Sequence, residues 1–350
     1  MRDLLVAGGG PIGLAAALYA ARAGLDVAVR EPRSGDIDKA CGEGLMPGAV
    51  AALDDLGVLP HGHPVLGVRY LDGARTAQAD FRHGPGLGVR RTVLHGALRA
   101  RAAEAAIEVD HRPVREVLDR GDHLVVDGEP TRYLVAADGL HSPVRRLLGL
   151  GRSPARHRRY GLRCHVEVAP WTSYVEVHWS GAGEAYVTPV AEDLVGVAVL
   201  TSGPRPMPEL LAQFPLLGRR IAGRATSRTR GAGPLRQRSR ARVAGRVLLV
   251  GDAAGYVDAL TGEGIALGMA QAHAAVAALA EERPERYEGD WRRLRRRHDL
   301  LTGGLVLATA VPPIRRGIVG AAAGVPAVFD AAVNQLARPA RTARPARAAR

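Results

Sequence analysis

Cysteine and lysine are nearly missing from this 350-residue chain. Cys41 and Cys164 are the two cysteines. Two thiols supply neither a disulfide framework nor, alone, a zinc site, so no metal is expected and a reducing cytoplasm suits the chain. Lys39 is the only lysine, so the net charge of +13 is an arginine charge. It sits on an Ala-, Gly- and Arg-rich composition such as a codon-biased proteome produces. Aromatic residues make up 4%, too few for a base-stacking platform. Nucleic acid is therefore not an expected partner, although the charge alone would admit a basic nucleotide-binding module.

An uninterrupted membrane span is also missing. Residues 4–21 carry no charge, and about 18 apolar residues can cross a bilayer. Gly8-Gly9-Gly10-Pro11 breaks that run near its start, which a membrane helix would not tolerate. The run reads instead as a buried strand over 4–7, a tight turn, and an alanine-rich helix over 14–23 closed by Gly24. Gly8, Gly10 and Gly13 form G-x-G-x-x-G. In that pattern the first glycine turns the chain, the second admits a pyrophosphate and the third lets helix pack on strand. Pro11 suits the first helical turn. A second strand over 26–30 ends at Glu31, at the distance of an acid that accepts ribose hydroxyls. This context predicts dinucleotide binding and leaves FAD or NAD open.

Two later segments narrow the choice. "YLVAADGLHSPVRRLLG" (133–149) is an apolar strand followed by Asp138-Gly139, with Ser142 and Arg145 opening a helix. "RVLLVGDAAGYVDALTGEGIALGMAQA" (246–272) is another buried strand, then Gly251-Asp252, a loop, and a helix beginning near Glu263. With both segments following the first fingerprint, the chain resembles flavoproteins of the para-hydroxybenzoate hydroxylase fold over residues 1 to about 300. That group includes single-component aromatic hydroxylases, geranylgeranyl reductases and flavin-dependent halogenases. The resemblance implies FAD, held by Gly8, Gly10, Pro11, Ile12, Gly13, Glu31 and Arg33 at the ADP half. It further implies Arg91 near the linker, Asp138 by the pyrophosphate, and Gly251 and Asp252 at the ribityl chain. Gly262, Gly264 and Ile265 open a helix whose free N–H groups would meet the pyrimidine edge of the flavin, where a reduced ring carries negative charge. No second nucleotide fingerprint is evident. "GPGLG" (84–88) lacks a preceding buried strand and "GAGP" (231–234) reads as a turn. NAD(P)H would therefore visit transiently, or a separate reductase would supply electrons.

"ACGEGLMPG" (40–48) resembles the geranylgeranyl reductase branch, in which a Cys-Gly loop sits against the flavin. Cys41 would then donate a proton or tune the ring, or simply fill space; Glu43 would bind substrate or solvate the loop. "YVEVHW" (174–179) alternates, and 184–190 and 194–200 read as antiparallel neighbours. His178 and Tyr186 are the candidate pocket residues of this sheet. Isoprenoid reductases carry a tyrosine–tryptophan–phenylalanine–proline signature on the second strand. This chain keeps Tyr186 and Pro189 but has Val187 and Thr188 between them.

The expected fold is α/β: a Rossmann-type FAD-binding domain (1–65, 85–158, 235–300), an inserted mixed-sheet substrate domain (66–84, 159–234) and a C-terminal helical region (301–337). Residues 283–298 read as a charged surface helix or helical hairpin, and 305–335 as apolar helices broken at Pro312-Pro313 and Pro326. These helices cap the active site or, with Arg315 and Arg316 at the rim, touch a membrane peripherally. The basic tail 338–350 reads as disordered. The first functional expectation is a monooxygenase that hydroxylates an apolar phenolic or polyketide-like small molecule through a flavin hydroperoxide. The second is a flavin ene-reductase of a prenyl or polyene lipid. The lone lysine, in the loop before Cys41, argues against halogenation.

Overall fold

The computed structural model describes residues 1–152, 158–181, 183–203 and 205–339. The opening run folds as strand Arg2–Ala7, a turn, and helix Pro11–Arg22. The strand is parallel to Val27–Arg30 on one side and Glu129–Ala136 on the other. Val247–Leu249 continues the parallel order beyond Glu129–Ala136, and Glu108–Asp110 beyond Val27–Arg30. A central parallel strand is covered on both faces, so its sequence shows no polar alternation. The pleat still sorts it. Leu4 and Val6 meet Leu14, Leu98, Met269 and Val276 of helices Pro11–Arg22, Arg91–Glu104 and Gly264–Ala280. Leu5 and Ala7 face the opposite core, with Leu124, Val126 and Val144.

The second sheet has seven strands among the described residues, in the order Arg230–Ala232, Tyr160–Glu167, Leu194–Thr201, Gly183–Ala191, Tyr174–Ser180, Gly67–Leu71 and Thr76–Asp80. It is mixed: Tyr174–Ser180 runs antiparallel to Gly183–Ala191 and parallel to Gly67–Leu71. Its registers align Tyr70, Val177, Tyr186, Ala198 and Arg163 in one row. Residues in one row share a face, and this face looks toward the FAD-type domain. On the other face Cys164, Val166, Val187, Val197 and Val199 pack under helices Met207–Leu211 and Pro215–Ile221. The α/β class with a mixed second sheet and C-terminal helices is as expected.

One local reading changes. The segment at Gly231 is a strand, Arg230–Ala232, which pairs with residues 161–163. Its glycines allow close pairing, and that signal is indistinguishable from a turn in sequence. Of the two alternatives for 283–298, the single helix holds: residues 286–298 open the 25-residue helix Arg286–Ala310. The apolar helices break at Pro312 and Pro326 as expected, and each proline opens the next helix, Pro312–Gly324 and Pro326–Ala337, at the position where proline costs no hydrogen bond. Among the described residues no single helix is long and apolar enough to cross a membrane; Pro313–Gly324 and Pro326–Ala337 pass that test only as a pair bent by 102°. Most of the tail read as disordered, from 340 on, lies outside the described residues.

Candidate functional site

A cavity of about 420 Å³ runs between the two sheets. At one end the N-terminus of helix Pro11–Arg22 opens into it through Gly10, Pro11 and Ile12. Gly8 turns the chain at φ +102°, and a Cβ on Gly13 would strike the Gly8 carbonyl oxygen. At Gly10 the nearest atom to such a Cβ is Arg91 Nη2, at 4.0 Å, so that side of the turn is open. Arg91 Nε is buried without a partner. An orphan cationic donor beside free helix N–H groups fits an anionic pyrophosphate.

The two later motifs converge on the same cavity. Asp138 lines it; its Oδ2 accepts from Val144 N at 2.9 Å, while its Oδ1 is buried and unpartnered. Asp252 lines it too, with no protein hydrogen bond to its carboxylate among the described residues. Burial raises the pKa of both acids; Lys39 and Arg91 oppose this at Asp252. Thr261, Gly262, Gly264 and Ile265 place the start of helix Gly264–Ala280 on the wall. Gly8, Gly13 and Gly251 are not on the wall and shape the turns behind it. Gly251 stands at φ +59° and donates to Gln271 Oε1 at 2.9 Å. An anion cradle, unpaired acceptors for hydroxyls and a second helix N-terminus together fit FAD. Bound there, FAD would supply hydride or electron-pair transfer.

Glu31 is held differently from the expectation. Its Oε1 accepts from Arg33 N and Nε at 3.0 and 2.7 Å. Its Oε2 accepts from Gly9 N and Arg33 Nη2, both at 2.9 Å. The carboxylate is saturated, so a ribose hydroxyl reaches it only when Arg33 swings away. Burial would raise this acid, but the hydrogen bonds from Arg33 and Gly9 outweigh it and hold the pKa below the usual range.

At the other end, Cys41 and Tyr186 line the cavity. The Tyr186 hydroxyl donates to Leu260 O at 3.0 Å, and burial pushes its pKa well up, keeping it neutral. Cys41 Sγ accepts from Glu43 N at 3.4 Å. Thr188 Oγ1 donates to Gly42 O at 2.8 Å, so the departure from the reductase signature clamps the Cys41 loop to the substrate sheet. His178 does not join the site. It lies on the opposite face from Val175 and Val177, with Nε2 3.2 Å from Glu176 Oε2. Glu176 also accepts from Trp171 at 2.9 Å and pairs with Arg69, so the histidine is buried in a polar cluster away from the cavity. The strand's alternation predicted two faces without saying which was inward.

Glu43 is neither solvated nor free. It is 2% exposed, and its Oε1 accepts from Arg91 N at 2.8 Å while its Oε2 lies 2.8 Å from His165 Nε2. Three residues the sequence left unassigned matter here. Lys39 lines the cavity facing Asp252, and burial lowers its pKa. Arg163 lines it from the substrate sheet. Arg145, 4% exposed, binds the backbone of both motif loops. The sole lysine beside the Cys41 loop was a readable signal; Arg163 and His165 were not, because only the strand register brings them to Glu43.

Fold and site define a flavin-binding oxidoreductase. A family profile described as "FAD binding domain" matches residues 1–192. The chain belongs to this FAD-binding family of oxidoreductases. It is 33% identical over 308 residues to a menaquinone reductase of Mycobacterium tuberculosis, covering 76% of this chain and 74% of that protein. It is 28% identical over 329 residues to digeranylgeranylglycerophospholipid reductase 1 of Methanopyrus kandleri, covering 83% and 85%. A 3-(3-hydroxy-phenyl)propionate/3-hydroxycinnamic acid hydroxylase of Mycobacterium is 32% identical over 169 residues, covering 42% and 29%. The structure of p-nitrophenol 4-monooxygenase from Pseudomonas putida superposes with a TM-score of 0.79 at 19% identity, covering 98% and 99%, which shows a shared fold.

Proposed function

We propose that the protein uses FAD to reduce carbon–carbon double bonds in a prenyl-bearing lipid. The observation that carries this reading is the wall of the reacting end. Val65, Val68, Phe81 and Leu235 continue without a charge to Val333 and Leu336 of the cap helix Pro326–Ala337. An apolar lining offers an alkyl chain burial and offers a phenolate little. The menaquinone reductase and the digeranylgeranylglycerophospholipid reductase match 76% and 83% of the chain, whereas the hydroxylase likeness covers 42%. This reverses the order expected from sequence, where hydroxylation came first.

In this reading Gly10, Pro11, Ile12, Arg91, Asp138 and Asp252 hold the cofactor, and the amides at Gly262 to Ile265 stabilise charge on its ring. The apolar wall excludes water and aligns the alkene. Cys41, held by Glu43 N–H and by the Thr188 clamp, is the proton donor. NAD(P)H would visit transiently to reduce the flavin. The cap helix Pro326–Ala337 lines the cavity through Val333 and Leu336, and the C-terminal region carries exposed Leu307, Ile314, Val325 and Val328, with exposed Arg316 among them. That pattern supports peripheral docking on an anionic bilayer, from which a lipid would enter. Products from a prenylated quinone and from a diprenyl glycerophospholipid, run with and without oxygen, test the proposal. Gain of hydrogen in the anaerobic sample supports it; gain of an oxygen atom, only with oxygen present, overturns it.

A further inference from the structure

The apolar end of the cavity needs one proton from water per double bond reduced, and the geometry points to Glu43 and His165 as the relay that carries it. The inference rests on the ene-reductase reading. Glu43 belongs to the cavity wall, yet its carboxylate is turned into the protein. The residue sits at φ +58°, a conformation that costs a non-glycine residue about a kcal/mol or more. Its Oε2 meets His165 Nε2 at 2.8 Å. The approach needs Gly196 opposite: a Cβ there would lie 2.9 Å from Glu43 Oε2.

The imidazole is oriented for one direction of transfer. Arg163 Nη1 lies 3.2 Å from His165 Nδ1, and a guanidinium only donates. Nδ1 is therefore the acceptor, and Nε2 carries the hydrogen that points to Glu43. Beyond Nδ1 lies Ser227 Oγ at 3.5 Å, on an exposed segment. The path thus runs from water to Ser227 and on to Nδ1, which takes the proton as Arg163 turns to its partner Asp38, and then from Nε2–H through the Glu43 carboxylate to the Cys41 thiol on the same loop.

The charges around it are few. Arg163 is 3.7 Å from Glu43 Oε1 and is itself paired with Asp38, which also accepts from Arg230 Nε at 2.9 Å. Lys39 and Cys41 lie on the loop that carries Glu43, and Arg91, whose N–H donates to Glu43 Oε1, lies beside it. The reaction balances: hydride from the reduced cofactor, which ends oxidised, brings its own electron pair to one alkene carbon, and the π pair shifts to the other carbon and takes a proton from the wall. The wall recovers that proton from water along the path above. Glu43 and His165 act through the wall donor and are positioning residues.

The experiment uses full-length holoenzyme with Glu43→Gln, His165→Asn and His165→Ala. Reoxidation of the reduced flavin by polyprenyl substrate without oxygen should slow about a hundredfold in each variant. FAD and substrate affinities should stay as in the parent, and imidazole should rescue only His165→Ala. Parent-like rates with an unchanged pH profile and solvent isotope effect would overturn the relay. Nitrogen NMR of the apoprotein, with His165 assigned from His165→Asn, should find Nε2 protonated and Nδ1 bare. The opposite tautomer, or an imidazolium across neutral pH, overturns it. If the parent reduces no alkene, the underlying reading fails and the tautomer measurement still decides the relay geometry.

Discussion

The guanidinium of Arg145 donates to the carbonyl of Ala253 at 2.8 Å and to that of Asp252 at 3.2 Å. Its other nitrogen donates to Leu140 O at 2.8 Å. One buried arginine therefore ties the loop after Asp138 to the loop of Asp252. Burial lowers its pKa, and Asp138 and Asp252 oppose this. Arg145→Met keeps the volume and leaves the carbonyls of Ala253 and Leu140 unpaired, while Asp252 O keeps its bond from Gly255 N; each orphan costs about 1–3 kcal/mol. We expect a loss of about 2 kcal/mol or more in denaturant unfolding and at least tenfold weaker FAD. A variant that binds FAD as well as the parent would show that the clamp does not position the loops.

The glycines of the opening turn should separate by role. Gly13→Ala forces a Cβ into the Gly8 carbonyl oxygen, so it should unfold or strongly destabilise the protein. Gly10→Ala meets open space, so its melting temperature should stay near the parent's while FAD affinity falls. Calorimetry of the apoprotein with flavin fluorescence titration measures both quantities. Equal effects at the two positions would contradict the assignment.

The Glu31 carboxyl is held below its ordinary pKa in the folded chain. A depressed acid contributes stability that is complete above its unfolded pKa, about 4.3, and is lost as pH falls through the folded value. Glu31→Gln should therefore cost stability at pH 7 and much less at about pH 3. Arg33→Ala should raise the Glu31 pKa and free the carboxylate for a ribose hydroxyl. Urea unfolding across pH tests the first statement; FAD association rates, faster in Arg33→Ala, test the second.

Cys41→Ala should bind FAD normally and reduce substrate about a hundredfold more slowly, as loss of a positioned proton donor does. Thr188→Val removes the hydroxyl that holds Gly42 O at 2.8 Å, so it should slow turnover while sparing FAD affinity. Full activity in Cys41→Ala would retire the thiol as donor.

The sequence made the strand–turn–helix at residues 2–22 legible because each glycine there has one geometric use. It also exposed Asp138 and Asp252, since each follows an apolar strand that feeds the same sheet edge. It did not reveal that Arg33 closes over Glu31, because that depends on a side-chain rotamer. His178 was misplaced because alternation alone leaves inside and outside degenerate. The Glu43–His165 contact joins residues 122 apart through a register that no local pattern encodes.

The most direct measurement mixes reduced holoenzyme with a polyprenyl lipid in an oxygen-free stopped-flow cell and follows the flavin band. The account predicts that the oxidised band returns without oxygen, in step with saturated product. A flavin that stays reduced until oxygen enters, then yields a hydroxylated product, would contradict it.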